Sequence, residues 1–407
     1  MTKFNIISPE FQEDPYALFA QLRQTAAAVP VAPLGFYAIS RYDDVLYVLK
    51  NPQLFSSSAL QKAFTMMAGS MMQGEITGLL QHNMLGMDPP DHTRLRRLIN
   101  RAFTAKAIED MAPRIRAITN ECIDTILQKG EFDMINDLAS PLPIIVIAEM
   151  LGVEPERRQD FRQWSNDMVS LGASMEMPPP EEASRQNQSR AELFAYLEEI
   201  IAERRREPQD DLISAMIRAE EEADTLTAEE VMSMTVLLLI AGNETTTNLI
   251  GNATIVLRDY PEVREQLKAD PTLIPDFIEE TLRYNGPVLG LFREATQEVE
   301  LSGVTIPQGA FVMPLYASAN HDETVFPNPE EFDLLRENKK HVAFGFGIHF
   351  CLGAPLARLE ACIAFEEIFK RIPNAVITDD KVNWIDSFIL RGVRTLPMKT
   401  LAAHTVD

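Results

Sequence analysis

The stretch that most constrains this chain is HVAFGFGIHFCLGAPLARLEA, residues 341–361. Gly345 and Gly347 admit tight backbone turns and, lacking Cβ, let a large flat ligand approach closely. Phe344 and Phe350 wall the loop with apolar rings. Leu352, Leu356, Leu359 and Ile363 then recur at helical spacing. Cys351 therefore stands near a helix N-terminus, where the dipole favours a thiolate. A dinucleotide loop is a poor match, because Phe350 stands where G-x-G-x-x-G needs its third glycine. A lone buried cysteine is most often inert packing, but glycines, rings and His349 crowd this one. An anionic sulfur in an apolar nest suits a soft metal, and a single thiolate facing an open site suits haem iron.

Composition narrows the setting. The 407 residues are 46% hydrophobic, enough for a large core, and length alone predicts two or three domains. A formal charge of −23 argues against a nucleic-acid partner. Three cysteines without a C-x-x-C pair fit a reducing cytosol, with Cys122 and Cys362 read as core residues. The first residues carry no basic region followed by an apolar run, so no signal peptide is expected. The most apolar run, residues 236–242, is far short of the ~20 residues a spanning helix needs. A cytoplasmic protein without a membrane span is the expectation.

Along the chain, periodicity predicts helices over 107–129, 142–151, 155–171, 184–206, 227–258 and 276–283. A strand is expected at 36–40, and short strands over 293–313 with a turn at 306–309. The methionine-rich 64–85 segment and residues 168–177 read as adaptable apolar walls, with the prolines at 178–180 marking a lid. His92, Arg94, Arg96, Arg97 and Arg101 make a basic helix, in which His92 and Arg96 share a face. The long helix contains Ala241-Gly242-Asn243-Glu244-Thr245-Thr246-Thr247, poor helix material that predicts a kink or opened turn with threonine bonding backward. An acid beside hydroxyls, between apolar turns, is costly unless it serves something. Glu280 and Arg283 are spaced for a local ion pair, ordinarily worth only ~0–1 kcal/mol. Residues 387–392 read as a hairpin whose apolar tip is able to reach a pocket.

Taken together, these motifs resemble one family. The set Phe344, Gly345, Gly347, His349, Cys351, Leu352 and Gly353 resembles the haem-ligand loop of the cytochromes P450. Asp88 to Arg96 is similar to their D-P-P-x-H-T-R-L-R stretch, and Ala241 to Thr245 to their A-G-x-E-T helix. Glu280-x-x-Arg283, ahead of Pro287 and Arg293, resembles their structural ExxR. The order runs across essentially the whole chain.

The resemblance implies a mainly α fold with a small β region: a single P450 domain over 1–407, with haem b between the long central helix and the Cys351 loop. Cys351 is then the axial thiolate ligand of the iron. His92, Arg96, Arg293 and His349 bind the propionates, and Glu244 and Thr245 relay protons. Glu280 and Arg283 tie the core, with Arg336 as third member. Leu238, Ala241, Val288, Leu289, Phe292, Phe388 and Ile389 are pocket candidates. His321 stands where relatives usually carry arginine. No flavin or iron–sulfur segment is evident, so electrons are expected from a separate ferredoxin and ferredoxin reductase, docking on Arg94, Arg97, Arg101, Lys106 and Arg358. The expected function is hydroxylation of an apolar small molecule, a fatty acid, terpenoid or steroid, free or carrier-bound. A peroxide-driven hydroxylase and a non-catalytic haem-thiolate sensor or carrier are the alternatives.

Overall fold

The helix Ala228–Asp259 is the axis of the molecule. The computed structural model describes residues 4–32, 34–68, 84–101, 103–173, 179–221 and 226–400. Most of the 64–85 and 168–177 wall candidates, and part of the 178–180 lid, lie outside these residues or have undescribed side chains. The axis begins in a reciprocal capping box. Thr227 Oγ1 accepts from Glu230 N at 3.2 Å, and Glu230 Oε2 accepts from Thr227 N at 2.8 Å.

Beyond its first turn this helix is buried on most of its faces, with polar residues such as Asn243, Thr247 and Asn252 buried among the apolar ones. One core cluster packs on its C-terminal half, from Leu249 to Leu257, together with Ala112–Lys129, Ile274–Tyr284 and Ala354–Arg371. A second packs on its N-terminal half, with Arg158–Ala173 and Pro180–Arg206.

The expected break at 241–247 is absent, and the helix runs through unbroken. Thr245 Oγ1 does bond back to Ala241 O at 2.9 Å, without opening the backbone ladder. Neighbouring residues spend their polar groups outward instead. Thr247 Oγ1 donates to Ala139 O at 3.1 Å, and Asn243 Nδ2 to Ser165 Oγ at 2.8 Å. Tertiary bonds thus offset the weak helix propensity.

The expected helix over 107–129 is divided into Ala105–Glu109 and Ala112–Lys129, because Pro113 carries no N–H and starts a helix rather than continuing one. A five-stranded sheet runs in the order Ala28–Pro30, Tyr37–Ile39, Phe311–Pro314, Arg293–Ala295, Phe55–Ser56. Its one parallel pair aligns Ala38 with Met313. A separate hairpin joins Val299–Leu301 to Val304–Ile306. That hairpin reverses at Ser302 and Gly303, at φ 45° and 84°, and the expected turn near 306–309 follows it, closed by Ala310 N on Pro307 O at 3.2 Å. Residues 307–310 lead into the next strand, with Gly309 N on Ala295 O at 2.8 Å. Among the described residues no helix is long and apolar enough to cross a membrane.

Candidate active site

The cysteine loop is shaped by its glycines. Gly345 and Gly347 hold φ near +72° and +73°, where L side chains are strained. A Cβ on Gly347 would also lie 2.6 Å from Leu49 O. Cys351 N donates to Phe344 O at 3.0 Å, which closes the loop. The helix Ala354–Arg371 begins three residues after the cysteine. The amides of Gly353 and Ala354 and the charges of Arg96 and Arg358 pull the thiol toward ionisation, but burial outweighs them and its pKa stays above the usual value. A cation at the sulfur is what would settle the thiolate. Beneath the loop, Arg358 lies over the Phe344 ring at 4.5 Å from its centroid. It is held there by two hydrogen bonds to Glu279, at 2.5 and 3.0 Å.

Four basic groups face one another beside this loop. The rings of His92 and His349 are 4.1 Å apart, and burial together with Arg96 and Arg293 holds His92 down to about 4. His349 falls to about 2, from burial first and then Arg293, His92 and Arg96. Among the described residues no carboxylate pairs with Arg96 or Arg293. The neighbouring Asp88 is already taken by Ser56 Oγ and by Ser57 N at 2.9 Å. Both ring nitrogens of buried His92 lack any hydrogen-bond partner. Two guanidiniums without a carboxylate, beside a neutral imidazole that has no hydrogen-bond partner, are costly unless anionic groups enter. Two carboxylates on a flat ring system match that need.

On the central helix, Ala241 and Gly242 are exposed within a largely buried stretch. A Cβ built on Gly242 meets nothing within 4 Å. One turn along, Glu244 is pushed up to about 7 by burial alone, and Thr245 is half-buried beside it. An open flat patch, a poised acid and a hydroxyl thus share one helix segment.

A profile of the Cytochrome P450 family matches residues 35–397. The chain belongs to the cytochrome P450 family. This P450 is 40% identical over 396 residues to Cytochrome P450 107B1 of Saccharopolyspora erythraea, covering 96% of each chain. CYP109Q5 from Chondromyces apiculatus superposes with a TM-score of 0.90 at 42% identity, over 98% of this chain and 99% of that one. CYP109E1 from Bacillus megaterium, solved in complex with testosterone, gives 0.84 at 35% identity over 97% and 100%. The P450 cofactor is haem held by a cysteine thiolate. The partnerless His92 nitrogens, the unmatched arginines and the flat Ala241–Gly242 face fit that group.

The structure brings together Cys351, His92, Arg96, Arg293 and His349 through the contacts and charges above. It does not bring all the pocket candidates to one open wall. Leu289, Phe292 and Phe388 are 1%, 3% and 4% exposed and pack with Phe36 and Met313. The Phe36 and Phe292 rings meet edge-on at 5.1 Å. All three are packed away from solvent, since large apolar side chains gain most by full burial. Val288 and Ile389 keep accessible surface, and Leu238 belongs to the separate cluster around the N-terminal half of the central helix.

Two of the expected docking charges have partners within the chain. Arg94 is ion-paired to Glu230 and Arg358 to Glu279. Helix patterning cannot see such partners, since they lie far away in sequence.

Glu280 gathers a dense network. Arg283 meets both its oxygens, at 2.9 and 2.8 Å, and Arg336 Nε donates to it at 3.0 Å. The two guanidiniums also bond the carbonyls of Asn320, Pro327, Asn328, Pro329 and Glu331. Asn320 Oδ1 accepts from Val342 N at 2.7 Å, which carries the network to the cysteine loop. His321, buried, bonds Glu330 at 3.0 Å and Tyr284 O at 2.8 Å.

One residue escaped the sequence reading. Glu360 is 2% exposed, and burial pushes its carboxyl to about 8 against a hydrogen bond from Thr246. The available signal was an acid within the apolar face that follows Cys351.

Proposed function

We propose that this P450 hydroxylates an apolar small molecule of the steroid, terpenoid or fatty-acid class, with residues 1–407 acting as one P450 domain. The observation carrying the reading is the partnerless His92 imidazole set among Arg96, Arg293 and His349 beside the Cys351 loop. In this reading Cys351 holds the haem iron through its thiolate, and the four basic groups hold the two propionates by charge-assisted hydrogen bonds. When bound, haem supplies the activation of dioxygen.

The chain's own residues then manage protons and exclude water. Glu244, near 7, exchanges a proton readily around neutral pH, the range in which a general acid or base works best. The Thr245 hydroxyl, which donates its proton to Ala241 O, holds a fixed acceptor oxygen beside it. Ile389, packed against buried Leu289, Phe292 and Phe388, and Val288, bridged to Leu390, offer the substrate an apolar wall. The testosterone bound to the Bacillus megaterium relative supports the steroid class. Electrons come from a separate ferredoxin and ferredoxin reductase, as is general among bacterial P450s. A sensor or carrier has no use for a poised acid next to a hydroxyl.

Two experiments test this. Titrating the ferric protein with testosterone, a terpenoid and laurate is expected to shift the spin state with at least one of them. No shift with any removes the proposed substrate classes. Thr245→Ala is expected to keep the thiolate-type carbonyl spectrum while releasing several times more hydrogen peroxide per NAD(P)H consumed, since positioned proton transfer contributes typically ~10²–10⁴-fold. Unchanged coupling takes Thr245 out of this role.

A further inference from the structure

Arg391 lies outside everything described above, and its setting is unusual. It is 7% exposed, and among the described residues no carboxylate pairs with it. Its guanidinium instead caps the end of the helix Pro9–Glu13 near the N-terminus. Nη1 donates to Gln12 O and Nη2 to Glu13 O, the latter at 2.7 Å. Those carbonyls are among the acceptors that a helix end leaves without partners. The cation also stacks over Trp384 at 3.4 Å from the ring centroid. Burial lowers its pKa to about 10, so it stays charged at neutral pH.

The backbone of the same residue is fixed from the opposite side. Arg391 N donates to Pro287 O at 2.9 Å, and Arg391 O accepts from Asn252 Nδ2 of the central helix at 3.0 Å. Two residues earlier, Ile389 O accepts from Leu289 N at 2.8 Å, and Leu390 bridges to Val288. A parallel link, from Gln12 Nε2 to Asp386 Oδ1, joins the same two segments. A side chain at Gly392 would run into Asn248 at 1.9 Å, so the turn has no slack on that side.

We propose that Arg391 is a positioning residue: it fastens the 385–392 turn to the N-terminal helix and thereby fixes where Ile389 and Val288 stand in the substrate wall. The inference rests on the proposed reading that this wall contacts substrate. A buried cation spent on two carbonyls, rather than on a carboxylate, is a strut between segments some 380 positions apart in the chain. Its planar fork suits two acceptors at once, which a lysine cannot match.

The test compares Arg391→Ala, Arg391→Lys and Ile389→Ala in the haem-loaded protein. Hydrogen exchange at the Leu289 and Arg391 amides is read against amides of the helix Ile274–Tyr284. In Arg391→Ala, exchange at those two amides should rise about tenfold or more with the reference helix unchanged. Arg391→Lys should fall between it and the parent. The testosterone dissociation constant from the spin-state titration should rise by about tenfold in Arg391→Ala, with the thiolate-type carbonyl spectrum retained.

Exchange that stays flat at both amides, or rises equally in the reference helix, overturns the strut. An Arg391→Lys protein as loose as Arg391→Ala also counts against it. Ile389→Ala separates the two readings. If it leaves testosterone binding unchanged, the tip does not line the pocket, while the exchange measurement still decides the strut.

Discussion

Glu360 shows how much one buried acid changes what the site can do. Folded Glu360 keeps its proton up to about pH 8, whereas an unfolded glutamate releases it near 4.5. Across that window the folded state holds the extra proton, so the stability Glu360 contributes is complete below 4.5 and lost as pH rises through about 8. Glu360→Gln should therefore flatten the fall in thermal midpoint between about pH 5 and about pH 8, and an undiminished slope would mean the acid is not held neutral. Some residues could be read from the sequence because local spacing carries their meaning. Cys351 is one, since its glycines, rings and following helix are all within a few positions. Glu360 could not, because its neutral state depends on burial and on Thr246, 114 positions earlier on another helix. The same limit applies to Arg94 and Arg358, which look like free surface charges until Glu230 and Glu279 appear beside them.

Among the elements, the helix Ile274–Tyr284 binds the loop region through Glu280, Arg283 and Arg336. All three are nearly inaccessible to water. A surface pair at this spacing is nearly neutral, but removing one member of a buried network strands the others. Arg336→Ala should cost about 3–5 kcal/mol in urea unfolding, and a loss below ~1 would place the network outside the stabilising core. Periodicity marked this helix well, and the capping box marked the start of the central one at Thr227. It failed where tertiary bonds decide. Ala241 to Thr247 looked like a break, yet bonds from Asn243 to Ser165 and from Thr247 to Ala139 O accompany an unbroken helix. The sequence pattern likewise grouped seven pocket residues, whereas packing buries Leu289, Phe292 and Phe388 and leaves Val288 and Ile389 partly accessible.

The whole molecule carries −23 formal charge, so an acidic electron donor must find a local exception. With Arg94 and Arg358 paired internally, exposed Lys106 and Lys50 remain candidates, the latter lying over the exposed Phe346 ring at 5.2 Å. Reduction by an acidic ferredoxin should slow as ionic strength rises from ~0.05 to ~0.5 M, and a flat profile would exclude electrostatic docking there. The fold at this scale was legible because its motifs occur in family order along the chain. The substrate was not, because the walls that would select it include segments with little periodicity.

The most direct measurement is turnover of a spin-shifting steroid under ¹⁸O₂, with ferredoxin, its reductase and NAD(P)H. One labelled oxygen atom in the product is expected, and Cys351→Ala should give none. Unlabelled product, or no product from a steroid that shifts the spin state, would contradict a haem-thiolate monooxygenase acting on that substrate class.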